Sequence, residues 1–480
     1  MKPREDAQSY EVCTFQVWTP RFSHVSILLM NRSLSRRSFT KLAAASAVYS
    51  LIPGRVMGAN EKVNVAFIGC GGMGAGDAKS VSATGMVNPV ALCDIAFGSK
   101  HTAETEKRFP GVPKYKDFRE MFDKHGKEID ACTIGVPDHS HFPISMRAMS
   151  EGIHCYVEKP LAHTFQEIEL MMAAEKKYKV SCQMGNQGHS GPNYHQFKAW
   201  KEAGVIKDVT KITAHMNGGR RWHGWTIDGY PEDPMPEGID WDTWLGTAPK
   251  HPFSKKLHPG NWRSWYDYGN GAFGDWGPHI LDTCHRFLNL GMPSKITAVK
   301  REGPNEYIFP QATTIRFDFP ARENEPPCEV TWYDGVKNFP DAPEELDEDR
   351  KAKWGNPKLG AGKVIYGKDL TFKGNSHGSP LRIIPETKMK DMGKDLPKFE
   401  TGSNHHENFI LGAKGEEQTR SPFYISGPLS QMFCLGVMAQ RLGGEIEFDR
   451  ETKRITNRSV ADALLDGPPP RKGWEEYYKL

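Results

Sequence analysis

The chain lacks most of the features that would assign it to a specialised class of protein. Its 480 residues carry a formal net charge of only +3, with both signs interspersed, so no basic stripe is present for nucleic acid or an anionic membrane. The nine cysteines form no CxxC pair, so we expect neither a disulfide framework nor a zinc site. Cys93, Cys132 and Cys155 lie in runs typical of buried strands and are interpreted as small core residues. A chain this long predicts two domains of an ordinary globular protein.

The N-terminal region carries a different kind of signal. Arg36 and Arg37 are followed by Phe39 and Lys41 and then by an apolar run, 42–52, that is too short to cross a bilayer, so we expect no membrane anchor. The segment resembles a twin-arginine export signal, although Thr40 replaces the usual leucine. We therefore expect residues 1–59 to be a leader, with Met30 as a second candidate for the start, and the protein to be periplasmic or secreted. An amphipathic helix with two adjacent arginines by chance is the alternative.

The rest of the chain changes its pattern near residue 187. From residue 60 to 186, short apolar runs such as "VNVAFIG" and "NPVALCD" come with helical patterns between the later ones, which predicts a parallel sheet. Beyond residue 186, longer runs such as "VTKITAHM", "KITAVKRE" and "TTIRFDFP" follow without a helix between each, which predicts a mixed or antiparallel sheet. We therefore divide the chain after the leader into domains 60–186 and 187–480.

A glycine motif opens the first of these domains. Gly69, Gly71 and Gly74 give G-x-G-x-x-G between a strand and a helix, a spacing that allows a tight turn, close approach of a pyrophosphate and helix packing. Asp94 ends the next strand about twenty residues later, where a carboxylate accepts hydrogen bonds from ribose hydroxyls. Because that charge would repel a 2′-phosphate and no arginine follows closely, the pattern favours NAD over NADP.

Two further motifs resemble the paired signatures of the Gfo/Idh/MocA oxidoreductases. They are "VEKPLA", from Val157 to Ala162, and "GNGAFGDWGPHILD", from Gly269 to Asp282. The resemblance implies an α/β chain with an N-terminal Rossmann fold, a doubly wound parallel sheet, followed by a C-terminal α+β domain with a large open, mostly antiparallel sheet. Family members pair through that sheet, which implies a homo-oligomer, a dimer or a tetramer.

By the same resemblance, Lys159, Asp275 and His279 occupy the positions of the family's catalytic group. Hydride leaves a carbinol carbon only if the hydroxyl proton is also removed, which suits a histidine. Gly277 and Pro278 are interpreted as the cap and first position of a helix, which would place His279 in its first turn. Asp275 would orient the imidazole or bind substrate, and Lys159 would stabilise charge on the substrate oxygen. A loop lysine, a helix cap and a buried histidine are the structural alternatives.

The remaining site predictions follow from position along the chain. "GVPDHSHF" resembles the family segment near the nicotinamide, and its two histidines lack a third ligand, so we expect loop hydrogen bonds or substrate contacts and no metal. The predicted cofactor-binding residues are Gly69, Gly71, Gly72, Met73, Gly74, Asp94, Pro137, His139, His141, Glu158 and Lys159. The predicted substrate contacts are Asn186, His189, Trp262 and Arg263.

The sequence therefore predicts an exported NAD(P)-dependent oxidoreductase, with NAD preferred, that acts on a sugar, cyclitol or glycoside. Because the twin-arginine route carries folded proteins, the cofactor would leave the cytoplasm tightly bound, and its cycle should be redox-neutral. An NAD-dependent glycoside hydrolase or lyase, which oxidises its substrate transiently before elimination, is the first alternative. A non-catalytic sugar-binding sensor or scaffold is the second.

Overall fold

The computed structural model describes residues 61–480 apart from residues 217, 220, 357 and 358. The predicted leader, with its twin arginines and Met30, therefore lies outside the described residues. Within the described residues, no helix is sufficiently long and apolar to traverse a membrane.

The first sheet has six parallel strands in the order β3-β2-β1-β4-β5-β6. Its strands are β1 (Val63–Ile68), β2 (Val87–Cys93), β3 (Lys114–Tyr115), β4 (Ala131–Ile134), β5 (His154–Val157) and β6 (Cys182–Met184). The helices that accompany it are α1 (Gly72–Ala83), α2 (Ala103–Arg108), α3 (Phe118–His125), α4 (His141–Ser150), α5 (Phe165–Tyr178) and α6 (Pro192–Glu202). The order reverses between β1 and β4, so a ligand crevice is expected beyond the carboxyl ends of these two strands.

Local sequence explains why these elements begin and end where they do. Strands β1 and β4 are buried on both faces and consist largely of apolar residues, as parallel strands covered by helices require. Helix α5 begins with a capping box, in which the Thr164 hydroxyl accepts from the Glu167 N–H and the Glu167 carboxylate accepts from the Thr164 N–H.

The second sheet has nine strands in the order β13-β12-β11-β7-β10-β9-β8-β14-β15. Its strands are β7 (Lys211–Met216), β8 (Lys295–Glu302), β9 (Ala312–Phe319), β10 (Cys328–Asp334), β11 (Gly362–Tyr366), β12 (Thr371–Asn375), β13 (Arg382–Ile384), β14 (Gly444–Asp449) and β15 (Arg454–Ile455). All neighbouring pairs are antiparallel except β7 and β10. The predicted fold class, a Rossmann sheet followed by a mostly antiparallel open sheet, is confirmed.

The other helices connect the strands of the second sheet or return to the first one. They are α7 (Trp241–Leu245), α8 (Gly271–Ile280), α9 (Asp282–Phe287), α10 (Glu348–Lys351), α11 (Glu386–Met392), α12 (His405–Ala413), α13 (Phe423–Leu442) and α14 (Ser459–Asp466). Helix α13 packs on α5, and the Met184 N–H donates to the Ser421 carbonyl, so the later chain also completes the first sheet. A single hydrophobic cluster extends from the first sheet to the second. The boundary near residue 187 stays a prediction.

The predicted helix start at Gly277 and Pro278 is wrong. Helix α8 begins at Gly271 and ends at Ile280, so Pro278 lies inside it and His279 lies in its last turn. The error has a physical reason. Proline is typical of the first turn of a helix, where its missing N–H costs no hydrogen bond, so Pro278 indicated a helix start at this position. Asp275 and His279 are consequently four residues apart on one helix and share a face.

Candidate active site

The glycine loop between β1 and α1 is shaped for close backbone approach. Gly69 has φ of +84°, a conformation that favours glycine. A Cβ atom on Gly74 would lie 2.1 Å from the Gly69 carbonyl oxygen, and one on Gly71 would lie 2.0 Å from the His101 ring. The loop leads into the N-terminus of α1, whose cap Gly71 offers no side chain to the first N–H groups. These groups fit a pyrophosphate.

Asp94 lies at the end of β2 beside this loop. Its Oδ2 accepts from the Cys70 N–H at 2.8 Å, and its Oδ1 accepts from the Ala96 N–H at 2.9 Å. Burial raises the pKa of the carboxyl group, while these two backbone hydrogen bonds oppose the rise. The carboxylate is thus held in one orientation beside the glycine loop, and each oxygen retains a lone pair for a ribose hydroxyl.

A cavity of about 450 Å³ runs along the glycine loop and past Asp94 to the second motif region. Gly69, Gly71, Gly72, Met73, Asp94, Pro137, Glu158, Lys159, Trp262, Arg263 and Asp275 are among its lining residues. The cavity therefore brings together residues that are up to 206 positions apart, from Gly69 to Asp275, and that the sequence predicted separately.

At one end of the cavity, three cations surround a single buried carboxylate. The Asp275 Oδ1 lies 2.8 Å from the Lys159 Nζ and 3.2 Å from the Arg263 Nη1, and its Oδ2 accepts from the Arg221 Nη2 at 2.6 Å. Burial alone would raise the pKa of Asp275, but the charges of Lys159, Arg263 and Arg221 outweigh it and hold the pKa well below its usual range. Asp275 is therefore ionised, and it fixes the position of the Lys159 ammonium group.

His279 lies one helical turn beyond Asp275 and is buried. Its ring stacks on His377, with centroids 4.0 Å apart, and its carbonyl accepts from the His377 N–H at 2.9 Å. Burial, together with the charge of Lys159, holds the pKa of His279 well below its ordinary value. The imidazole is therefore neutral and able to accept a proton, and its buried Nδ1 has no hydrogen-bond partner among the described residues.

The two histidines of "GVPDHSHF" do not line the cavity, and their ring nitrogens contact backbone carbonyls. The His139 ring nitrogens lie 2.7 Å from the Trp244 carbonyl and 3.2 Å from the Tyr268 carbonyl. The His141 nitrogens lie 2.8 Å from the Pro160 carbonyl and 3.0 Å from the Val136 carbonyl. They position the loops around Pro137, which itself lines the cavity. No group of three or more metal-ligating side chains occurs in the part of the chain that the structure describes.

Asn186 and His189 lie beyond the end of β6, and neither lines the cavity. The His189 Nδ1 lies 3.3 Å from the Asp282 carboxylate, which places it just past the helix that carries His279. The Asn186 Oδ1 and the His189 Nε2 are buried, and neither has a hydrogen-bond partner in the described residues. Whether they contact substrate stays a prediction.

Comparison with known families agrees with this architecture. Residues 63–186 match the family model described as "Oxidoreductase family, NAD-binding Rossmann fold". Residues 192–305 match its "C-terminal alpha/beta domain", and together the two models cover about half of the chain. The chain belongs to the Gfo/Idh/MocA oxidoreductase family. Its first sheet is therefore an NAD-binding Rossmann fold, and the glycine loop beside Asp94 fits that cofactor.

Several relatives in the family act on carbohydrates by name. The levoglucosan dehydrogenase of Pseudarthrobacter phenanthrenivorans is 26% identical over 245 residues, which is 50% of this chain and 54% of that protein. A glycosyl hydrolase family 109 protein of Shewanella pealeana is 28% identical over 182 residues, 32% of this chain and 39% of that one. The match thus spans about half the length of these relatives or less.

The fold is shared with solved members of the family. The WlbA dehydrogenase from Bordetella pertussis, solved with NADH and UDP-GlcNAcA, superposes with a TM-score of 0.53 at 13% identity. The superposition covers 81% of this chain and 99% of that one. At this identity the likeness concerns the fold.

In this family member, two further residues join the site. The sequence offers Arg221, together with Arg263, as a group that could bind substrate hydroxyls or a carboxylate or form surface salt bridges, and it does not assign His377. Arg221 reaches Asp275, and His377 stacks on His279. Arg221 adopts φ of +67° and His377 adopts +55°, so both occupy the left-handed region that residues with side chains rarely adopt. The sequence gives little signal for His377, because it lies in a loop far from the family motifs.

Proposed function

We propose that the protein is an NAD-dependent dehydrogenase that acts on a sugar, a cyclitol or a glycoside. The observation that carries the proposal is the Lys159–Asp275 pair at the end of the cavity that starts at the glycine loop, with neutral His279 one helical turn away. Carbohydrate names among the relatives support the substrate class.

Each side chain then has a distinct task. His279, which lies one helical turn beyond Asp275 and is not among the cavity-lining residues, accepts the proton of the substrate hydroxyl, because it is neutral and within electrostatic reach of Lys159. Lys159 binds the oxygen that loses this proton and stabilises its negative charge. Asp275 holds Lys159 in place through the contact of 2.8 Å. NAD, when bound along the glycine loop and Asp94, supplies the hydride acceptor.

The walls of the cavity support a cofactor that stays bound through turnover. Besides the Rossmann loop, the lining includes Trp244 of α7, the segment 258–260 and Trp474. Trp474 lies under the Arg119 guanidinium at 4.5 Å, and the Arg471 Nη2 donates to the Asp242 carbonyl at 2.7 Å. These distant segments contribute walls to the site and would slow release of the cofactor, as a redox-neutral cycle requires, in which one substrate reoxidises the cofactor reduced by another.

The decisive experiment measures the redox state of the bound nucleotide. The purified protein is denatured before and after addition of candidate sugars, and the released nucleotide is identified. We expect NAD before addition and NADH after a single turnover with a substrate sugar. A constant absorbance at 340 nm with all sugars, despite bound NAD, would instead support a sugar-binding sensor or scaffold.

A second candidate function is glycoside cleavage by transient oxidation followed by elimination. The similarity to the family 109 glycosyl hydrolase favours it. Both candidates begin with the same proton and hydride removal, so Lys159 and His279 serve either. Release of nitrophenol from a nitrophenyl glycoside without net NADH would identify the elimination route.

We also propose that the protein is exported by the twin-arginine pathway and self-associates. The first part depends on Arg36 and Arg37, and the double change to lysine should retain the protein in the cytoplasmic fraction. The second part is supported by Val299 on β8, an apolar residue that is 57% exposed on the open sheet. We expect sedimentation to report a dimer or tetramer, and Val299→Lys to weaken it.

A further inference from the structure

Cations outnumber carboxylates among the described residues that contact Asp275. Lys159, Arg221 and Arg263 all contact Asp275, and Arg263 also lies 3.4 Å from the Asp138 carboxylate. The side chains of Lys159 and Arg263 are only 7% and 11% exposed. Three cations thus meet two anions among these contacting residues, in a place where water screens charge poorly.

The nearby acidic group does not remove this excess. Burial, reinforced by the charge of Asp77, raises the pKa of Glu158 to about 8, so this carboxyl group is largely protonated at neutral pH. The rings of His279 and His377 have lowered pKa values, chiefly through burial, and are neutral. Among the described residues that contact Asp275, cations therefore outnumber anions near pH 7, and Asp77 is a further carboxyl group within electrostatic reach of Lys159.

The Arg263 guanidinium is held by several neighbours, yet some of its N–H donors have no acceptor among the described residues. Its guanidinium lies 4.5 Å over the Trp262 ring, and Asp138 and Asp275 fix it from the other sides. Its buried Nε and Nη1 make no hydrogen bond to an acceptor among the described residues. Because an unsatisfied buried donor is costly, an acceptor is expected from a ligand in the cavity that Arg263 lines.

Arg221 is directed to the same place by a strained backbone. Its φ of +67° lies in the left-handed region, which is unfavourable for a residue with a side chain. In that conformation its guanidinium reaches Asp275 and lines the cavity together with Arg263. Strain of this kind is typical of ligand-binding positions.

We propose that the substrate is an acidic carbohydrate, and that Arg263 and Arg221 bind its carboxylate while Lys159 and His279 face the hydroxyl to be oxidised. This inference rests on the proposed function and narrows its substrate class. A carboxylate would offer these cations a negative partner, and guanidinium groups are well suited to binding it in a bidentate manner. The hydroxyl groups of a neutral sugar could accept from the Arg263 donors but would bring no compensating charge.

The test compares sugar acids with their neutral counterparts on the NAD-loaded protein. Calorimetry measures binding of glucuronate against glucose and of galacturonate against galactose. We expect at least one acid to bind ten or more times tighter than its neutral partner, and sugar phosphates of the same hexoses to bind more weakly than that acid. Tighter binding by the neutral sugars or by the phosphates in both series, or no binding by either acid, would overturn the inference.

Variants assign the preference to the arginine. Arg263→Gln should lower the affinity for the acid at least tenfold and that for the neutral sugar by a clearly smaller factor, whereas Arg263→Lys should retain part of the preference. Arg286→Gln, an exposed change on α9 outside the cavity, is the matched control. If an acid binds in this Arg263-dependent manner but never reduces the bound NAD, the acidic-ligand inference stands and the proposed dehydrogenase activity fails.

Discussion

Replacement of Gly74 by alanine should separate the cofactor loop from its helix. The new Cβ atom would lie 2.1 Å from the Gly69 carbonyl oxygen and 3.1 Å from the Gly135 carbonyl oxygen. Ordinary contact begins at 3.4 Å, so α1 must retreat from the loop by more than 1 Å. Overpacking of this kind costs about 1–3 kcal/mol.

The expected effect on the cofactor exceeds the effect on folding. A shift of the α1 N-terminus misaligns its N–H groups, and each hydrogen bond to a charged group contributes about 1.5–3 kcal/mol. Loss of one such bond corresponds to roughly a tenfold to hundredfold weaker affinity for NAD. The assay is the amount of NAD released from purified protein, followed by calorimetric titration of the emptied protein.

The matched control is Gly76→Ala on the same helix. There the new Cβ atom would meet nothing closer than the Met73 sulfur at 3.8 Å, so it should keep NAD and stabilise α1 by about 0.5–1 kcal/mol. Circular dichroism confirms that both variants are folded. If Gly74→Ala retains the NAD content and melting temperature of the wild type, the loop is not the cofactor site that we infer.

Three further predictions address the charged groups. His279→Ala should lower kcat by about two to four orders of magnitude and keep NAD bound, because the base acts only as the proton moves; steady-state kinetics with melting temperature as the folding control measures this. Asp94→Ala should weaken NAD binding by about 1.5–3 kcal/mol in calorimetry, because it removes a charge-assisted hydrogen bond to ribose. The pKa of Glu158 is raised to about 8 in the folded protein from an ordinary value of 4.5. Its contribution to stability is therefore complete below about pH 4.5 and is lost as the pH rises through about 8. Glu158→Gln should thus reduce the fall in melting temperature between about pH 5.5 and 8.5.

Each of these predictions has an opposing result. If a folded, NAD-loaded His279→Ala protein turns over at nearly the wild-type rate, then His279 is not the general base, and His189 is the next candidate. Equal NAD affinity of Asp94→Ala would remove the ribose assignment. An unchanged pH dependence of melting in Glu158→Gln would show that another buried acid, such as Asp77, whose pKa burial raises, dominates.

The sequence predicted well those features that depend on local pattern. The glycine spacing and the alternating elements up to residue 186 identify the parallel sheet, and the two motifs bring Lys159 and Asp275 to one cavity. Strands β11 to β13 were not anticipated, because they are short and lie among polar and glycine-rich segments. They pair with one another locally, but β11 joins the sheet through β7, where Gly362 pairs with His215 and Tyr366 with Lys211, and local pattern does not encode pairing over such a separation.

The site shows the same division at the level of single residues. His279 was identified as a residue but misplaced in its helix, because Pro278 suggested a start where the helix continues. His139 was grouped with the cofactor contacts, yet it binds two carbonyls from segments more than a hundred residues away. Arg221 and His377 reach the site because their backbone adopts positive φ, a conformation that the residue types alone do not predict.

One wall of the cavity comes from a segment that is synthesised late. The glycine loop and Asp94 leave the ribosome early, but Trp474, which lines the same cavity, follows Gly74 by 400 residues. Until that segment has been translated and has docked beside Arg119, the cavity lacks one wall. Nucleotide that binds to the nascent first sheet would therefore exchange more freely than nucleotide bound after this segment has docked. Slow cofactor release would then report that the segment around Trp474 is in place.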